Sequence, residues 1–152
     1  MNMQAILVED EAALRLATTQ TLELGGFTVT ACASAEEALA LIAADFDGVI
    51  VSDVRLPGRS GLELLAQVAA LDADLPVIMV TGHGDVAMAV GAMRSGAYDF
   101  IEKPFGAERL LDAVRRAQDK RSLVLENRRL KTAWRCIPTR RNWSGTPPPS
   151  ND

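Results

Sequence analysis

Five short apolar runs, separated by segments of helical periodicity, constrain the fold of this chain more than any other feature. The runs occupy residues 4–8, 27–33, 48–52, 77–80 and 98–102. Three are continuous and β-branched, such as GVIVS at 48–52, as strands buried on both faces of a parallel sheet must be. Five strand–helix units with right-handed crossovers predict an α/β, flavodoxin-like (βα)5 fold, which is a doubly wound parallel sheet with strand order 2-1-3-4-5.

The segments between the runs predict where the helices begin and end. A Gly-Gly pair at 25–26 should end the first helix, Ser34 and Glu37 suit a capping box for the second, and Asp85 suits the N-cap of the fourth. The last helix begins near residue 107 and meets no breaker before Pro138. The predicted inward faces are Leu14, Ala17, Thr18, Thr21 and Leu22 in the first helix, Leu62, Leu65, Val68 and Ala69 in the third, and Val86, Ala89, Val90 and Met93 in the fourth.

Charge is unevenly distributed along the chain. Residues 1–102 carry a net charge of −11, whereas residues 103–152 carry +7. This division argues against a uniformly basic nucleic-acid binder and suggests a cation site in the acidic part. Cys32 and Cys136 lack metal-ligand spacing, and the chain has no signal-peptide pattern and no apolar stretch of membrane-spanning length. We therefore expect a cytoplasmic protein that contacts neither membrane nor nucleic acid directly.

Polar and charged residues follow the predicted strands at their carboxyl ends. Glu9 and Asp10 follow the first strand, Asp53 the third, Thr81 the fourth and Lys103 the fifth. Strands 1 and 3 are neighbours in the predicted order, and ligands of such sheets bind beyond the carboxyl ends of the strands. The three carboxylates should therefore converge on one small volume.

This set of residues is chemically suited to phosphoryl transfer. Converging carboxylates repel each other unless a cation joins them, and all-oxygen ligands of this kind favour Mg²⁺. Asp53 is then a candidate nucleophile toward phosphorus, while Lys103 and Thr81 can bind phosphoryl oxygens. Taken singly, each residue is more often a helix cap, a turn residue or a solvated charge. Their combination at the ends of four strands favours the functional interpretation.

At these residues the sequence resembles the receiver domain of bacterial two-component response regulators. The matching motifs are ILVEDE at 6–11, VSDVRLPG at 51–58, VTG at 80–82 and GAYDFIEKP at 96–104. The resemblance implies that Asp53 is the phosphoacceptor for a sensor histidine kinase. It also implies a signalling phosphoacceptor rather than a turnover enzyme, with Mg²⁺-dependent self-phosphorylation from small phosphodonors and slow autodephosphorylation.

The same resemblance implies roles for the neighbouring residues. The implied Mg²⁺ ligands are Glu9, Asp10, Asp53 and the main-chain carbonyl of Arg55. Thr81 and Lys103 would hold the phosphoryl oxygens, and Lys103-Pro104 would be a cis peptide. Thr81 and Phe100 would be switch residues that change the face formed by helix 4, strand 5 and helix 5, although the position of Phe100 in a strand is by itself typical of a core residue.

A finer resemblance is to NtrC-like regulators, and among them to regulators of C4-dicarboxylate transport. It depends on TLELGGFTV at 21–29, LPVIMVTGHGD at 75–85, residues 96–105 and ENRRL at 126–130. Such regulators continue into AAA+ and DNA-binding output domains that activate transcription, and this chain contains neither. We therefore predict a receiver domain at 1–120, a helical linker or dimerisation extension at 121–131, and a flexible tail at 132–152, either a truncated linker or an expression-derived sequence.

The extension of the last helix has a short heptad pattern. Leu123 and Leu130 occupy d positions with Asn127 at the a position between them, and Glu126 and Lys131 can pair across two parallel helices. A solvated basic helix explains this pattern equally well, and the family resemblance favours a homodimer. The basic run at 115–141 lacks a recognition helix, so it is interpreted as a solvated linker rather than a DNA contact.

Two other functions are compatible with a phosphate-binding α/β fold. An aspartyl-phosphate hydrolase of haloacid-dehalogenase type requires a second acid two residues after its nucleophile, and Arg55 occupies that position. A flavodoxin-like flavin binder requires a Ser/Thr-rich phosphate loop after strand 1, where three acidic residues would repel phosphate.

Overall fold

The computed structural model describes residues 3–43, 46–56, 60–82, 86–103 and 105–136. Five strands form one parallel sheet in the order β2-β1-β3-β4-β5, which confirms the predicted fold class and strand order. The strands are β1 (Gln4–Val8), β2 (Thr28–Cys32), β3 (Val49–Asp53), β4 (Val77–Thr81) and β5 (Asp99–Glu102). Asp53 pairs with Val80 and Thr81 with Glu102, so β3, β4 and β5 end close together at one edge.

Helices cover both faces of this sheet. They are α1 (Ala12–Leu24), α2 (Ala35–Leu39), α3 (Gly61–Leu71), α4 (Val86–Arg94) and α5 (Ala107–Cys136). Because side chains alternate along a strand, Ile6 and Ile50 pack into the core with α2, α3 and α4, while Leu7 and Val51 pack into the core with α1 and α5. Burial on both faces explains why β1, β3 and β4 are largely apolar, whereas the edge strands β2 and β5 are partly exposed and carry polar residues.

The predicted helix ends are mostly confirmed. Gly26 and Gly96 follow α1 and α4 with φ of 96° and 111°, a conformation that favours glycine. At α2, the Ser34 side chain accepts a hydrogen bond from the Glu37 N–H, but the Glu37 carboxylate accepts from the Ala33 N–H instead of closing the predicted box. A complete capping box is found at α3, between the residues at 60 and 63. The predicted N-cap at residue 85 lies outside the described residues.

The predicted inward faces of the helices are partly wrong. Ala17, Ala69, Val90 and Met93 are exposed and Leu62 is only half-buried, whereas Leu64 and Ala92 are fully buried. In α3 the buried stripe runs through residues 61, 64, 65 and 68, which is the i, i+3, i+4, i+7 pattern displaced around the helix. The sequences of α3 (GLELLAQVAAL) and α4 (VAMAVGAMR) are apolar over much of the helix circumference, so the apolar pattern alone does not single out the buried side.

Helix α5 continues to Cys136, past the predicted start of the tail at residue 132. Arg121, in the basic run that was interpreted as solvated, is fully buried, so that interpretation is wrong at this residue. The division into a domain, an extension and a tail stays a prediction. Within the part of the chain that is described, no helix combines the length and the apolar character needed to cross a membrane.

Candidate functional site

Three carboxylates meet at the carboxyl edge of the sheet. Glu9 and Asp10 directly follow β1, and Asp53 ends β3. One oxygen from each lies within 4.8 Å of the others. Glu9 is 5% exposed and Asp53 is 8% exposed, while Asp10 is open to solvent. We call these three residues the carboxylate cluster; the structure brings together the acids that the strand order predicts to converge.

Lys103 connects the cluster to the end of β5. Its Nζ donates hydrogen bonds to Asp53 Oδ2 at 2.7 Å and to Glu9 Oε1 at 3.2 Å. Its main-chain N–H donates to the carbonyl of Thr81 at 2.7 Å, which joins the loop after β5 to the end of β4. Thr81 itself is buried at the edge of the sheet. The ammonium group therefore compensates part of the charge of two buried carboxylates.

Burial and neighbouring charge shift the pKa values in this site. Burial raises the pKa of Glu9, and the Asp53 charge adds to this effect, while the Glu11 N–H and Lys103 oppose it. Burial alone would lower the pKa of Lys103, but its hydrogen bond to Asp53 and the charges of Asp53 and Glu9 outweigh burial and raise it. Lys103 therefore stays protonated at neutral pH, and the charged form of Glu9 is the one that a cation would stabilise.

Tight backbone packing holds Asp53 in place. Its Oδ1 accepts a hydrogen bond from the Arg55 N–H at 3.1 Å, and its carbonyl accepts one from Ser52 Oγ at 3.0 Å. A Cβ at Gly61 would lie 2.2 Å from that carbonyl oxygen, so only glycine allows the first turn of α3 to approach so closely. Sequence reasoning missed this role of Gly61; its place after the N-cap Ser60 was the available signal.

The loop after β1 is held by a second set of contacts. Arg15, on the first turns of α1, donates from Nη1 to the carbonyl of Glu9 at 2.8 Å. The Glu9 N–H donates to the carbonyl of Cys32 at 3.0 Å, and the Glu11 N–H donates to Glu9 Oε2 at 3.2 Å. Arg15 was not among the predicted site residues, since nothing in its spacing distinguishes it from a surface arginine. Together these contacts fix the direction of the Glu9 carboxylate.

The carboxylate cluster fits a hard divalent cation. It offers three carboxylate oxygens, which are the donors that Mg²⁺ prefers, with one residue open to the solvent from which Mg²⁺ retains water. Arg55 lies beside the cluster through its N–H bond to Asp53. The role of its carbonyl as a ligand stays a prediction.

The other predicted site residues lie outside the cluster. Phe100 is half-buried and packs against the core between the sheet and α4. Pro104 lies outside the described residues, and so does the predicted cis peptide. Leu123 and Leu130 are 67% and 55% exposed on α5, and Asn127 between them is also exposed.

Residues 5–115 match the family described as the response regulator receiver domain. The chain belongs to this family. The C4-dicarboxylate transport transcriptional regulatory protein DctD of Rhizobium meliloti is 58% identical over 127 residues, which are 84% of this chain and 28% of that protein. The protein of the same name from Pseudomonas aeruginosa is 54% identical over 130 residues, 86% of this chain and 28% of that protein. The chain thus spans little more than a quarter of these relatives.

Solved structures agree with the family match. The crystal structure of FixJ-N superposes with a TM-score of 0.70 at 41% identity, over 78% of this chain and 95% of that one. The receiver domain of NtrX from Brucella abortus gives a TM-score of 0.70 at 38% identity, over 76% of this chain and 98% of that one. This receiver domain therefore belongs with signalling proteins, and the match decides against the hydrolase and the flavin binder.

Proposed function

We propose that this chain is the phosphoacceptor receiver domain of a two-component response regulator, and that Asp53 accepts the phosphoryl group of a sensor histidine kinase. The observation that supports this most directly is the position of the Asp53 carboxylate. It is nearly buried, grouped with two further carboxylates, and 2.7 Å from the Lys103 ammonium nitrogen. Carboxylate groups and an ammonium group thus surround the Asp53 nucleophile, as charge compensation in phosphoryl transfer requires.

In the proposed reaction, an Asp53 carboxylate oxygen attacks phosphorus and forms an acyl phosphate. The phosphorus–nitrogen bond of phosphohistidine breaks, and the imidazole nitrogen keeps the electron pair. Lys103 stays protonated and compensates charge on the transferred oxygens, and the Thr81 hydroxyl donates a hydrogen bond to them. A Mg²⁺ ion held by Glu9, Asp10 and Asp53, with the Arg55 carbonyl, would neutralise further negative charge. Attack of water on the acyl phosphate reverses the modification slowly.

The test is labelling by acetyl phosphate, followed as a mass increase of one phosphoryl group. Wild type should be labelled when Mg²⁺ is present and not when it is chelated, whereas Asp53→Asn should take no label. Asp119→Asn is the matched control, because Asp119 is an exposed carboxylate on α5. Label that survives in Asp53→Asn would contradict the proposal.

We further propose that phosphorylation changes the face formed by α4, β5 and α5. The added charge of about −1.5 to −2 draws the Thr81 hydroxyl toward the phosphoryl group, and Phe100 then turns inward. Phe100 is half-buried at the margin of the core, so a change of rotamer exchanges solvent contact for core contact. Beryllofluoride with Mg²⁺ should shift the NMR signals of the Phe100 ring; unchanged signals would contradict this switch.

A homodimer through α5 is the proposed output state of the domain. Leu123 and Leu130 are exposed one heptad apart with Asn127 between them. Sedimentation equilibrium, with and without beryllofluoride, should give a dimer mass in at least one state. Leu123→Asn should lower the dimer fraction, while Leu24→Asn, at a residue that is 88% exposed on α1, should not. A monomer in both states would contradict the dimer.

The two reported relatives named DctD suggest a role for this domain. We propose a cytoplasmic regulator of C4-dicarboxylate transport, in which this domain controls AAA+ and DNA-binding output domains that lie beyond this chain. The 58% identity to DctD of Rhizobium meliloti supports this assignment. The test uses a strain that lacks its dicarboxylate-responsive regulator and receives a copy of that regulator in which this domain replaces the receiver. Induction by dicarboxylate should return with this copy, and it should be lost again when the copy carries Asp53→Asn.

A further inference from the structure

The amino edge of the sheet contains an ion-pair cluster that takes no part in the proposed phosphoryl chemistry. Arg121 Nη2 donates to Asp72 Oδ2 at 2.8 Å, and Arg128 donates from its two terminal nitrogens to both oxygens of Asp72 at 2.7 Å. Arg121 is fully buried, and its Nε also donates to the carbonyl of Phe46 at 2.9 Å. We call Asp72, Arg121 and Arg128 the Asp72 clamp.

The Asp72 clamp connects the helical extension of α5 to the body of the domain. Arg121 and Arg128 are seven residues apart, so they lie on the same face of α5 over about 10.5 Å of helix. Asp72 directly follows α3, and its N–H donates to the carbonyl of Val68 at 2.9 Å. Its Oδ1 also accepts the N–H of Asp74 at 3.1 Å. One well-anchored carboxylate thus holds the extension at two points that are about two helical turns apart.

The exposed heptad residues lie on a different side of the same helix. Leu123 is two residues beyond Arg121, and Leu130 is two residues beyond Arg128. At about 100° per residue, each leucine is about 200° around the helix from its arginine. We call Leu123, Asn127 and Leu130 the seam. With both arginines on Asp72, the seam stays exposed, in agreement with the 67% and 55% exposure of its leucines.

We propose that the Asp72 clamp keeps the α5 extension helical and docked on the loop after α3, and thereby holds the seam in one position for a second copy of this chain. The second part rests on the homodimer of the proposed function. The buried residues Leu110, Ala113, Val114 and Ala117 hold the first half of α5 on the sheet. The extension lies beyond them, and the end of a helix frays unless a further contact holds it. The bidentate Arg128–Asp72 pair supplies that contact with a defined direction, which a single point charge does not.

The first test is amide hydrogen exchange of residues 119–131 in the full chain. Arg128→Gln should raise exchange about tenfold, since it removes charge-assisted hydrogen bonds from the extension. Arg129→Gln, at an exposed neighbour of equal charge, should stay within about twofold of wild type, and Arg128→Lys should fall between them. Equal exchange in Arg128→Gln and Arg129→Gln would overturn the clamp. Exchange measured at two protein concentrations separates the clamp from dimer contacts, because only the latter depend on concentration.

The second test is the dimer mass of the same variants. Arg128→Gln should lower the dimer fraction relative to Arg129→Gln, since a frayed extension presents no continuous seam. A dimer that is unaffected while exchange rises would overturn the seam-holding role and leave the dimer of the proposed function intact. A monomeric wild type would instead refute that dimer, and the exchange result would still decide whether the clamp holds the extension.

Discussion

The two edges of the sheet both bury charged groups, but they balance the charge differently. At the carboxyl edge, Glu9 and Asp53 share the ammonium group of Lys103 while Asp10 is open to solvent, and burial raises the pKa of Glu9. At the amino edge, Asp72 accepts hydrogen bonds from two guanidinium groups, with Arg128 as the main cause, and its pKa is held well below its usual range. Excess negative charge attracts a cation, whereas a neutralised cluster holds structure.

The largest expected effect falls on the neutralised edge. Asp72→Asn leaves the buried guanidinium of Arg121 without a carboxylate and should lower the free energy of unfolding by about 3–5 kcal/mol. Urea denaturation of the variant measures this loss. The matched control is Asp74→Asn, because the Asp74 side chain is 55% exposed and contacts Arg128 only at 3.3 Å. Asp74→Asn should lower the free energy of unfolding by about 1 kcal/mol or less. An equal loss of unfolding free energy in both variants would show that the Asp72 clamp does not stabilise the domain.

At the carboxyl edge, the expected effect of a substitution is on the rate of phosphorylation. Lys103→Met removes the charge that faces Asp53 and Glu9, and should slow labelling by acetyl phosphate about 100-fold. Initial rates at saturating Mg²⁺ give this value. Lys120→Met removes an exposed lysine that lies 5.7 Å from the Tyr98 ring centre, and should label at the wild-type rate. A Lys103→Met rate near that of wild type would remove Lys103 from the proposed mechanism.

The difference between the edges also explains what the sequence could predict. The carboxylate cluster was predictable because short β-branched runs define the strands, and the ends of neighbouring parallel strands must meet at one edge. The Asp72 clamp was not, because Asp72 and Arg121 are 49 residues apart and neither stands in a motif or a periodic pattern. A basic run in a helix is ordinarily solvated, and only the packing of α5 against the loop after α3 overrides that expectation at Arg121.

Gly61 shows the same limit within the functional site. Its requirement comes from the distance between α3 and the Asp53 carbonyl, which is a property of the packed fold rather than of the local sequence. The roles predicted for Pro104 and for the Arg55 carbonyl depend equally on backbone geometry. They stay predictions.

Gly61→Ala connects the positioning of Asp53 to the stability of the site. The added Cβ would meet the Asp53 carbonyl at 2.2 Å, so the variant should lose about 1–3 kcal/mol of unfolding free energy and label more slowly. Gly91→Ala is the matched control, since a Cβ there meets nothing within 4 Å. That change lies inside α4 and should stabilise the domain by about 0.5–1 kcal/mol. Equal effects of the two substitutions would show that α3 tolerates a shift away from Asp53.

The smallest expected effect is the pH dependence of the amino edge. The ordinary pKa of Asp72 is 3.8, and its pairing with Arg128 and Arg121 places the folded-state value far lower. A depressed carboxyl pKa contributes stability that is fully present above the unfolded value and is lost as the pH falls toward the folded one. The stability advantage of wild type over Arg128→Gln should therefore be constant near neutral pH and shrink between about pH 5 and pH 2. The urea denaturation midpoints of both proteins across this pH range measure the stability difference. The midpoint of Arg129→Gln is expected to follow that of wild type at every pH. An advantage that does not change with pH would mean that Arg128 stabilises the extension through packing of its side chain rather than through the charge of Asp72.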